Sequence, residues 1–584
     1  MYTTSFAFFE AIADAGVSHC FVNLGSDHPS IIEAMVVMKS NPKFPRIITC
    51  PSEMVAMSMA DGYARVTGKP QCVIIHVDVG TQALGVAVNN ASTGRCPVLI
   101  LAGLSPMTLE GELRGSRSEF IHWLQDVPDQ RAIVAQYCRY TAEIRTGVNV
   151  KQVVNRALQF ATSAPRGPVY LCAAREVLEA EMEPYEMSLG QRYWEPVELG
   201  GLPPKGASRI AEALAGASRP LVVTGYSGRN LEVPAALVEL ADIIKGLRVL
   251  DTAGSAMCFP ADHPGWLGVT HVGDTSIPDA DVIVVLDCDV PWIPTQCKPR
   301  PDATVFQIDS DPLKQRIPLF YIQADARYQA DSLLSVQQII EVLRRPDSEA
   351  ARLLGSRDLA ADEAARQRAY AERLERIEKA AGPLPDGRFG VAHLSKLLRS
   401  ACPEDTIWAV EAVTNTALIH DNVRPTRPGS WINCGASGLG WSGGGALGIK
   451  LAADAEGRGQ FVCQIVGDGT YMFSIPGSVY WISHRYKIPV LTIVLNNNGW
   501  NAPRKSYMMV HPEGAASKVS DEDIHISFAP PPDYAGIAAA AGAGDVHALR
   551  VEEASQLEAV LKDAVAKVQA GNTTVVDCRI VPGY

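Results

Sequence analysis

Short apolar runs that end in glycine or polar residues recur along the chain, with stretches of helical periodicity between them. Residues 1–185 hold five such runs, CFVNLGSDHPS, PRIITCPSE, CVIIHVDVGTQ, CPVLILAGLSP and GPVYLCAARE. Four follow in 205–345, RPLVVTGYSG, LRVLDTAGS, ADVIVVLDCD and ATVFQIDSDP, and four more after residue 383, DTIWAVEAVTN, QFVCQIVGDGT, PVLTIVLNNNG and TTVVDCRIV. Buried parallel strands, each followed by a helix, are typical of this pattern. The sequence therefore predicts an α/β fold of three doubly wound parallel-sheet domains.

The predicted domains cover residues 1–185, 205–345 and 383–584. Between the first two, residues 186–204 form a predicted linker that is rich in proline, glycine and glutamate. Between the last two, residues 346–382 form a second linker, which is charged and helical but short of apolar heptads. We expect a solvent-exposed connecting helix there rather than a coiled coil.

The first and last domains repeat one spacing. In the first, His76 follows the run CVIIH, and the next run begins 21 residues later, at Pro97. In the last, Asp468 follows FVCQIVG, and the next run begins 21 residues later, at Pro489. Two related α/β units on either side of a different one would produce this repeat. Crossover connections of this length are also common enough to produce it by coincidence.

Composition and charge narrow the class of protein. With 47% hydrophobic and 20% charged residues, the chain has the composition of a well-buried globular protein. Its 52 basic and 64 acidic residues give a formal net charge of −12, spread along the chain. This charge disfavours nucleic acid or an anionic membrane as a partner and favours a small-molecule substrate.

The sequence carries no signal for export, for a membrane span or for a zinc site. No run approaches the ~20 apolar residues of a span, and the N-terminal stretch lacks the basic region and cleavage site of a signal peptide, so we predict a cytoplasmic location. The 13 cysteines are an odd number without a CxxC pair. They predict buried, reduced thiols rather than disulfides or zinc ligands.

The strongest chemical signal is GDGT at residues 467–470 after one buried run, followed by NNNG at residues 496–499 after the next. A carboxylate, an amide oxygen and a main-chain carbonyl at neighbouring strand ends are hard ligands of the kind that Mg²⁺ prefers. The glycines let a diphosphate approach the main chain at a strand-to-helix turn, where N–H groups and the helix dipole favour anions. Either motif alone is more often a turn or a loop, but the pair, 29 residues apart from Asp468 to Asn497, is specific.

Over nearly its whole length the chain resembles the thiamine diphosphate (ThDP) enzymes of the acetolactate synthase, pyruvate decarboxylase and benzoylformate decarboxylase superfamily, in which GDG followed by NN is the diphosphate signature. The resemblance implies, in this order, a pyrimidine-binding, a middle and a diphosphate-binding domain. It implies that Asp468, Asn497 and the carbonyl of Gly499 bind Mg²⁺. It further implies that the cofactor is contacted by Gly467, Asp468, Gly469, Thr470, Asn497 and Gly499.

A second motif, CPSEMVAMSMADGYAR at residues 50–65, begins a predicted helix at Glu53, directly after the run PRIITC. An acid at a helix N-terminus is commonly there only to complement the helix dipole. In the family this glutamate contacts N1′ of the cofactor pyrimidine, so the resemblance implies a catalytic and cofactor-binding role for Glu53. Burial against an apolar ring would raise the carboxyl pKa, as that role requires.

A third segment, CGASGLGWSGGGALGIKLA from Cys434, resembles the family stretch that supports the bent cofactor. The match implies that Leu439 lies under the two cofactor rings and that the Ser437 carbonyl lies near the 4′ amino group. Family members often carry glycine where Ser437 stands. The alternative is a glycine-rich turn that simply packs on a helix.

Two strand ends of the first domain carry candidate groups for the substrate side. Ser26 and His28 follow CFVNL, and His76 opens HVDVGT, an HxxxGT pattern similar to that of benzoylformate decarboxylase. That similarity implies that Ser26 and His76 handle the substrate carboxylate and transfer protons. His28 departs from the pattern, and a strand-end histidine is often only a hydrogen-bond partner of the backbone.

Two long polar segments, residues 110–130 and those after Trp500, are expected to gate the substrate or to contact another subunit. Candidate anchors for an anion within them are Arg114, Arg117, Arg504 and Lys505, although surface basic residues are usually just solvated. The middle domain shows GYSGRN rather than GxGxxG after its first run. We expect it to be structural; some family members hold FAD or ADP there, which is possible here but not indicated.

The resemblance implies a ThDP- and Mg²⁺-dependent lyase or carboligase that decarboxylates a 2-oxo acid or ligates the resulting acyl group, like a 2-oxo acid decarboxylase or acetolactate synthase. One alternative is an acyloin or 1,2-diketone lyase or hydrolase, or a 2-hydroxyacyl-CoA lyase, with the same cofactor. An alternative of another class is a catalytically silent protein that binds ThDP for regulation. Family sites lie between subunits, so a homodimer is the expected minimum and a homotetramer is expected.

Overall fold

The chain folds into three parallel β-sheets of six strands each, with helices on both faces. The computed structural model describes residues 2–188 and 190–582. Within these ranges no helix combines the length and the apolar character that crossing a bilayer requires.

The first sheet has the strand order β2-β1-β3-β4-β6-β5, and all its pairs are parallel. Its strands are β1 (His19–Val22), β2 (Arg46–Thr49), β3 (Gln71–Ile75), β4 (Val98–Leu104), β5 (Tyr140–Glu143) and β6 (Val169–Ala174). Its helices are α1 (Thr4–Asp14), α2 (Pro29–Met38), α3 (Glu53–Thr67), α4 (Val77–Ala83), α5 (Gly85–Thr93), α6 (Ile121–Leu124), α7 (Val150–Thr162) and α8 (Arg175–Glu179).

The second sheet has the order β12-β11-β10-β7-β8-β9. Its strands are β7 (Pro220–Thr224), β8 (Arg248–Asp251), β9 (Trp266–Val269), β10 (Val282–Leu286), β11 (Thr304–Asp309) and β12 (Ala326–Gln329). The helices of this part are α9 (Pro204–Gly216), α10 (Val233–Ile243), α11 (Ser276–Asp279), α12 (Ser332–Arg344), α13 (Glu349–Gly355) and α14 (Leu359–Ala380).

The third sheet has the order β14-β13-β15-β16-β18-β17. Its strands are β13 (Ile407–Glu411), β14 (Trp431–Asn433), β15 (Val462–Gly467), β16 (Leu491–Asn496), β17 (His547–Val551) and β18 (Thr574–Arg579). Its helices are α15 (Val391–Ala401), α16 (Thr416–Val423), α17 (Trp441–Ala455), α18 (Asp468–Phe473), α19 (Pro476–Tyr486), α20 (Asn501–Val510), α21 (Tyr534–Ala541) and α22 (Ala554–Gln569). The predicted α/β fold of three parallel-sheet domains is confirmed.

The first and third sheets share one strand order, and the second differs. Numbered from its own first strand, each outer sheet is ordered 2-1-3-4-6-5, whereas the middle sheet is ordered 3-2-1-4-5-6. The repeated 21-residue spacing therefore lies in two equivalent units, β3 to β4 and β15 to β16. In open parallel sheets, ligands bind at the carboxyl ends of the strands where the order reverses. In the outer sheets this point lies between β1 and β3 and between β13 and β15.

The linker predicted at residues 346–382 contains α13 and α14, and α14 exposes most of its length. Of its described residues only Arg366 and Ile377 are buried. Arg366 donates a hydrogen bond of 2.7 Å to the carbonyl of Ala241, at the end of α10, so α14 packs along the middle domain. The predicted domain limits themselves stay predictions.

Helices α3 and α17 cross in close contact and join the first and third domains. Their side chains belong to one buried apolar cluster. A Cβ atom on Gly62 would overlap the carbonyl oxygen of Gly445, and one on Gly448 would overlap that of Met59. The two backbones approach this closely only because glycine has no side chain. Helix α3 begins at Glu53, directly after the loop that follows β2, and α17 begins at Trp441.

Candidate active site

The carboxyl edge of the third sheet holds the predicted metal ligands. Asp468 begins α18 directly after β15, and its two carboxylate oxygens accept main-chain N–H groups of Gly469 (2.8 Å) and Gly499 (3.1 Å). Burial raises the pKa of Asp468 to about 6, although these main-chain hydrogen bonds oppose the shift. A buried carboxylate of this kind is stabilised when a cation neutralises it.

The side-chain amide of Asn497 completes a cluster of oxygen atoms around this carboxylate. One terminal amide atom lies 3.1 Å from each oxygen of Asp468 and 3.0 Å from the carbonyl oxygen of Gly499. If this atom is the amide nitrogen, it donates hydrogen bonds to these oxygens. If it is the amide oxygen, four oxygen atoms converge, and a cation among them is needed to offset their repulsion. Mg²⁺ ligands at about 2.1 Å in octahedral geometry lie about 3.0 Å apart, so the donor set and its spacing fit Mg²⁺.

The loop before α17 carries the other predicted cofactor contacts. Ser437 is exposed and Leu439 is half-buried. Between them, Gly438 exchanges two hydrogen bonds with the side chain of Asn90 on α5, at 2.7 and 3.2 Å. The loop is thus held from the first domain while its two predicted contact residues stay accessible.

Glu411, at the end of β13, holds the same loop through hydrogen bonds to its main chain. Its carboxylate accepts the N–H groups of Gly440 (3.0 Å) and Ser442 (2.7 Å) at the start of α17. Burial raises the pKa of Glu411 to about 7, against the effect of these hydrogen bonds. Sequence reasoning missed both Glu411 and Asn90; the only signal for Glu411 was an acid at the end of a buried run.

Glu53 stands at the carboxyl edge of the first sheet. It begins α3, is half-buried, and its Oε1 atom accepts a hydrogen bond of 2.8 Å from the Asn23 side chain. A Cβ atom on Gly80 would lie 3.2 Å from the same oxygen, so the absence of a side chain there leaves room for the carboxyl group. Asn23, which follows β1, was not predicted as a site residue.

His76 and Asp27 form a hydrogen-bonded pair next to Glu53. His76 Nδ1 lies 2.6 Å from Asp27 Oδ1, and the main-chain N–H of Val77 donates to Oδ2 at 3.2 Å. The hydrogen bond to Asp27 raises the pKa of His76, although partial burial opposes the shift. Burial would raise the pKa of Asp27, but its two neighbouring histidines lower it overall. The imidazole side chain is 22% exposed, so its outer edge is accessible while Asp27 orients it.

His28 lies at the same strand end but faces inward. The side chain is fully buried, and its Nδ1 atom accepts the N–H of Gly25 at 3.1 Å. Burial lowers the pKa of His28, which favours the neutral imidazole. The structure therefore brings His28 to Asp27 but not to the accessible edge that His76 reaches.

Ser26 is half-buried and contacts a residue that the sequence did not single out. Its Oγ atom lies 3.3 Å from Nε2 of His122, which is buried on the short helix α6. This helix belongs to the segment 110–130 that was expected to gate the substrate or to contact another subunit. His122 was missed because nothing in the sequence links it to the end of β1.

Three of the four candidate basic anchors are engaged by other groups of the protein, and the fourth lies in solvent. Arg114 pairs with Glu179 and Glu181, and Arg117 pairs with Asp126. Arg504 donates to the carbonyl of Ala516 at 2.8 Å, and Lys505 is exposed. These contacts give the three arginines a part in shaping the two segments.

A cavity of about 440 Å³ lies at the carboxyl ends of the middle strands, among all three domains. The arginines that line it are Arg65, Arg95, Arg166, Arg229 and Arg458. Among the described residues, the buried Nε and Nη1 atoms of Arg229 have no hydrogen-bond partner. Burial lowers the pKa of Arg229 to about 10. Guanidinium N–H groups left free in a cavity suit an anionic ligand, and sequence reasoning did not find this site.

Three family models match the chain. They are described as "Thiamine pyrophosphate enzyme, N-terminal TPP binding domain" over residues 2–133, "central domain" over 207–336 and "C-terminal TPP binding domain" over 412–578. Thiamine pyrophosphate is another name for ThDP. The chain thus contains both ThDP-binding domains in the predicted order.

Similar proteins cover nearly the same length. Benzoylformate decarboxylase of Pseudomonas aeruginosa is 25% identical over 580 residues, which is 97% of each chain. 2-Hydroxyacyl-CoA lyase 2 of Homo sapiens is 25% identical over 578 residues, 92% of this chain and 84% of that protein. Acetolactate synthase isozyme 3 large subunit of Escherichia coli is 24% identical over 551 residues, 90% and 87%.

Solved structures share the fold. Benzoylformate decarboxylase from Polynucleobacter necessarius superposes with a TM-score of 0.77 at 18% identity, covering 100% of this chain and 99% of that one. The ThDP-dependent 4-hydroxybenzoylformate decarboxylase of Rhodococcus jostii RHA1 gives 0.77 at 21% identity and covers all of both chains. The resemblance found in the sequence is confirmed, and the chain belongs to the thiamine pyrophosphate enzyme family.

Proposed function

We propose that the protein is a ThDP- and Mg²⁺-dependent enzyme that decarboxylates a 2-oxo acid, with ligation of the resulting acyl group as a related outcome. The observation that carries this proposal is the Asp27–His76 pair beside Glu53, at one sheet edge. An oriented histidine with a raised pKa is suited to proton transfer near neutral pH. This arrangement also argues against the alternative of a catalytically silent ThDP-binding protein.

In this proposal Mg²⁺ is held by Asp468, Asn497 and the carbonyl of Gly499. The convergence of their oxygen atoms at 3.0–3.1 Å supports the assignment. The main chain of Gly467, Gly469 and Thr470, at the start of α18, would hold the cofactor diphosphate together with the ion.

The ring end of the cofactor meets residues of two domains. Glu53 would contact N1′ of the pyrimidine, Leu439 would support the rings, and the Ser437 carbonyl would accept from the 4′ amino group. When bound, ThDP supplies an electron sink for the acyl group, and the protein supplies position and proton transfer. Asn23 donates a hydrogen bond to Glu53 Oε1 and so orients the carboxyl group.

His76 and Ser26 serve the substrate. Asp27 holds the Nδ1–H of His76, so its Nε2 atom is the one that gives or takes a proton. Ser26 binds the substrate carboxylate. His28 remains a weaker candidate for catalysis, because its burial keeps it from direct contact with a substrate.

A 2-hydroxyacyl-CoA lyase activity is the second candidate. Proteins of that name in Homo sapiens and Bos taurus are 25% and 26% identical to the chain. Such a substrate needs a site for its nucleotide part, and the arginine-lined cavity is the observation that favours it. The same cavity supports an adenine nucleotide as a resident ligand, either FAD or ADP. An acyloin or 1,2-diketone substrate has no structural observation of its own in its favour.

The proposed enzyme works in the cytoplasm as a homodimer or a homotetramer. All 13 cysteines are free, as in proteins of a reducing compartment. Large apolar side chains of the segment 110–130 are exposed in the single chain, among them Phe120 at 78% and Leu124 at 71%. Exposed apolar side chains of this size support burial against a second subunit.

The test is an assay of the purified protein with ThDP and Mg²⁺ on a panel of 2-oxo acids, with and without acceptor aldehydes, with CO₂ and products measured by mass spectrometry. Release of CO₂ from at least one 2-oxo acid is expected, and Glu53→Gln is expected to slow it while cofactor binding persists. Cleavage of a 2-hydroxyacyl-CoA without activity on any 2-oxo acid would favour the second candidate. Light scattering of the same sample measures the oligomeric state.

A further inference from the structure

One buried arginine anchors the segment between β4 and β5 next to Ser26. Arg175, the first residue of α8, donates hydrogen bonds to the carbonyls of Gly115 (2.7 Å) and Ser26 (3.0 Å) and to Ser118 Oγ (3.1 Å). It also donates to the carbonyl of Ser116. A guanidinium that satisfies several acceptors at once fixes them relative to one another. Arg175 therefore sets the position of this segment relative to Ser26.

The next residue along α8 fixes the start of the segment. Glu176 Oε1 accepts the main-chain N–H of Thr108 (2.9 Å) and its hydroxyl (2.6 Å). The carbonyl of Thr108 in turn accepts the N–H of Arg117 at 3.0 Å. Because α8 holds both Thr108 and residues 115–118, His122 has a defined position beside Ser26.

The hydrogen bonds around His122 fix its tautomer. The main-chain N–H of Ser118 donates to Nδ1 of His122 at 3.2 Å, so Nδ1 carries no proton. Burial and the positive charge of Arg175 lower the pKa of His122, which keeps the imidazole neutral. A neutral imidazole whose Nδ1 is an acceptor must carry its proton on Nε2. Its Nε2–H then donates to Ser26 Oγ, 3.3 Å away.

This direction of donation determines what Ser26 can do. A hydroxyl group that accepts a hydrogen bond keeps its own proton for another acceptor. A substrate carboxylate is an acceptor only, so it needs such a donor. We propose that His122 is a positioning residue that, held by Arg175, turns the Ser26 hydroxyl proton toward the carboxylate of the substrate. The inference deepens the proposed function and rests on it for the identity of the substrate.

A double-mutant cycle tests this role. Ser26→Ala and His122→Phe are each expected to lower kcat/KM for benzoylformate by about 10-fold or more, mainly through KM, since the first removes the charge-assisted hydrogen bond from the Ser26 hydroxyl to the carboxylate and the second removes the group that orients it. The double variant is expected to be no worse than Ser26→Ala alone, because His122 acts through that hydroxyl. His122→Gln, which keeps a donor, is expected to recover part of the loss. His263→Phe, a similar change in the middle domain, is the matched control and should leave kinetics unchanged.

Two further readouts separate this inference from the proposed function. Ligation that starts from benzaldehyde, which has no carboxylate, should survive His122→Phe. Calorimetric binding of benzoylformate to the slow Glu53→Gln holoenzyme should show equal loss of affinity for Ser26→Ala, His122→Phe and the double variant. If wild-type enzyme releases no CO₂ from any 2-oxo acid, the proposed function fails; if the holoenzyme binds benzoylformate and His122→Phe binds it equally tightly, the inference about His122 fails. The inference about His122 would be overturned if the losses of the two single variants multiplied in the double variant. An equal loss of the benzaldehyde reaction in His122→Phe would also overturn it.

Discussion

The proton chemistry of the site depends on a contact between two residues, the Asp27 carboxylate and His76. This carboxylate raises the histidine pKa because it stabilises the imidazolium form. Both side chains also pack closely against glycine main chain. A Cβ atom on Gly103 would overlap Asp27, and one on Gly25 would overlap His76. The pair is therefore built into the first sheet rather than assembled on substrate binding.

We expect Asp27→Asn to shift the pH profile of kcat/KM. A step that uses protonated His76 is lost as the pH rises through the histidine pKa. Because the amide no longer stabilises the imidazolium, this pKa falls and the alkaline limb moves to lower pH. The profile is measured between about pH 5 and 9 with the preferred 2-oxo acid. Asp545→Asn, which alters a surface carboxylate beside His484, is the control; an unmoved limb in Asp27→Asn would refute the assignment.

His76→Ala is expected to reduce kcat/KM by roughly 10²- to 10⁴-fold, the usual contribution of a general acid or base. Affinity for ThDP should change little, because His76 lies on the first sheet and the predicted diphosphate contacts lie on the third. Steady-state kinetics and calorimetry on the same preparation measure the two effects. Unchanged turnover of all accepted substrates would leave His76 as a packing residue only.

Asp468→Ala is expected to abolish Mg²⁺-dependent binding of ThDP. The variant removes two of the four oxygen atoms that converge at the site. Calorimetry with ThDP, with and without Mg²⁺, gives the affinity, and Glu53→Gln serves as a comparison that should retain it. Wild-type affinity in Asp468→Ala would show that the ion binds elsewhere.

Sequence motifs located Glu53, Asp468 and Asn497 because each stands in a recognisable local pattern. The residues that support the rest of the candidate site come from other strands and helices, and a local pattern carries no information about which of these elements are neighbours. The supporting residues missed for this reason are Asn23, Asp27, Asn90, His122, Arg175 and Glu411. Asp27 lies next to a predicted residue, but the sequence did not indicate that it contacts His76, because His76 follows a different strand.

At the level of single elements, the interior strands were predicted and most edge strands were not. Of the six edge strands, only β2 coincides with a predicted run. The strands β5, β12 and β17 are half-exposed or alternate between polar and apolar residues. The strands β9 and β14 are only four and three residues long. A strand that is buried on both faces must be apolar along its whole length and therefore forms a continuous apolar run in the sequence. An edge strand is partly exposed and does not need such a run.

Gly448→Ala tests the crossing of α3 and α17. The new Cβ atom would overlap the Met59 carbonyl oxygen, which belongs to a helix backbone and cannot turn away. We expect a loss of about 1–3 kcal/mol in the free energy of unfolding, as for other overpacked cores, and a lower Tm. Thermal denaturation followed by circular dichroism measures it. Gly477→Ala in α19, where a Cβ atom meets nothing within 4 Å, is the control and should be neutral.

The strand orders explain, for the whole molecule, where its sites lie. The repeated 21-residue spacing lies in two outer units of the same strand order, and both carry candidate groups where the strand order reverses. The middle sheet has the 3-2-1-4-5-6 order common in dinucleotide-binding domains. Its cavity was missed because the arginines that line it come from all three domains, and the motif GYSGRN supplies one of the five, Arg229.

We expect the purified protein to bind an adenine nucleotide in this cavity. Heat-denatured enzyme is analysed by chromatography for released FAD or ADP, and the emptied enzyme is titrated with both. Arg229→Gln should weaken binding about 10-fold or more by removing a buried donor group. Arg219→Gln changes an exposed arginine that pairs with Asp279 and should have no effect. Neither release nor binding of a nucleotide would leave the middle domain as a structural spacer.

The crossing of α3 and α17 has a consequence for the proposed dimer. Glu53 is the first residue of α3, and Leu439 lies two residues before α17. In the proposed dimer, Glu53 of one chain would serve the cofactor held by the other chain. The two ends of a single crossing then belong to different catalytic centres. We therefore expect a shift of either helix at this glycine contact to alter both centres.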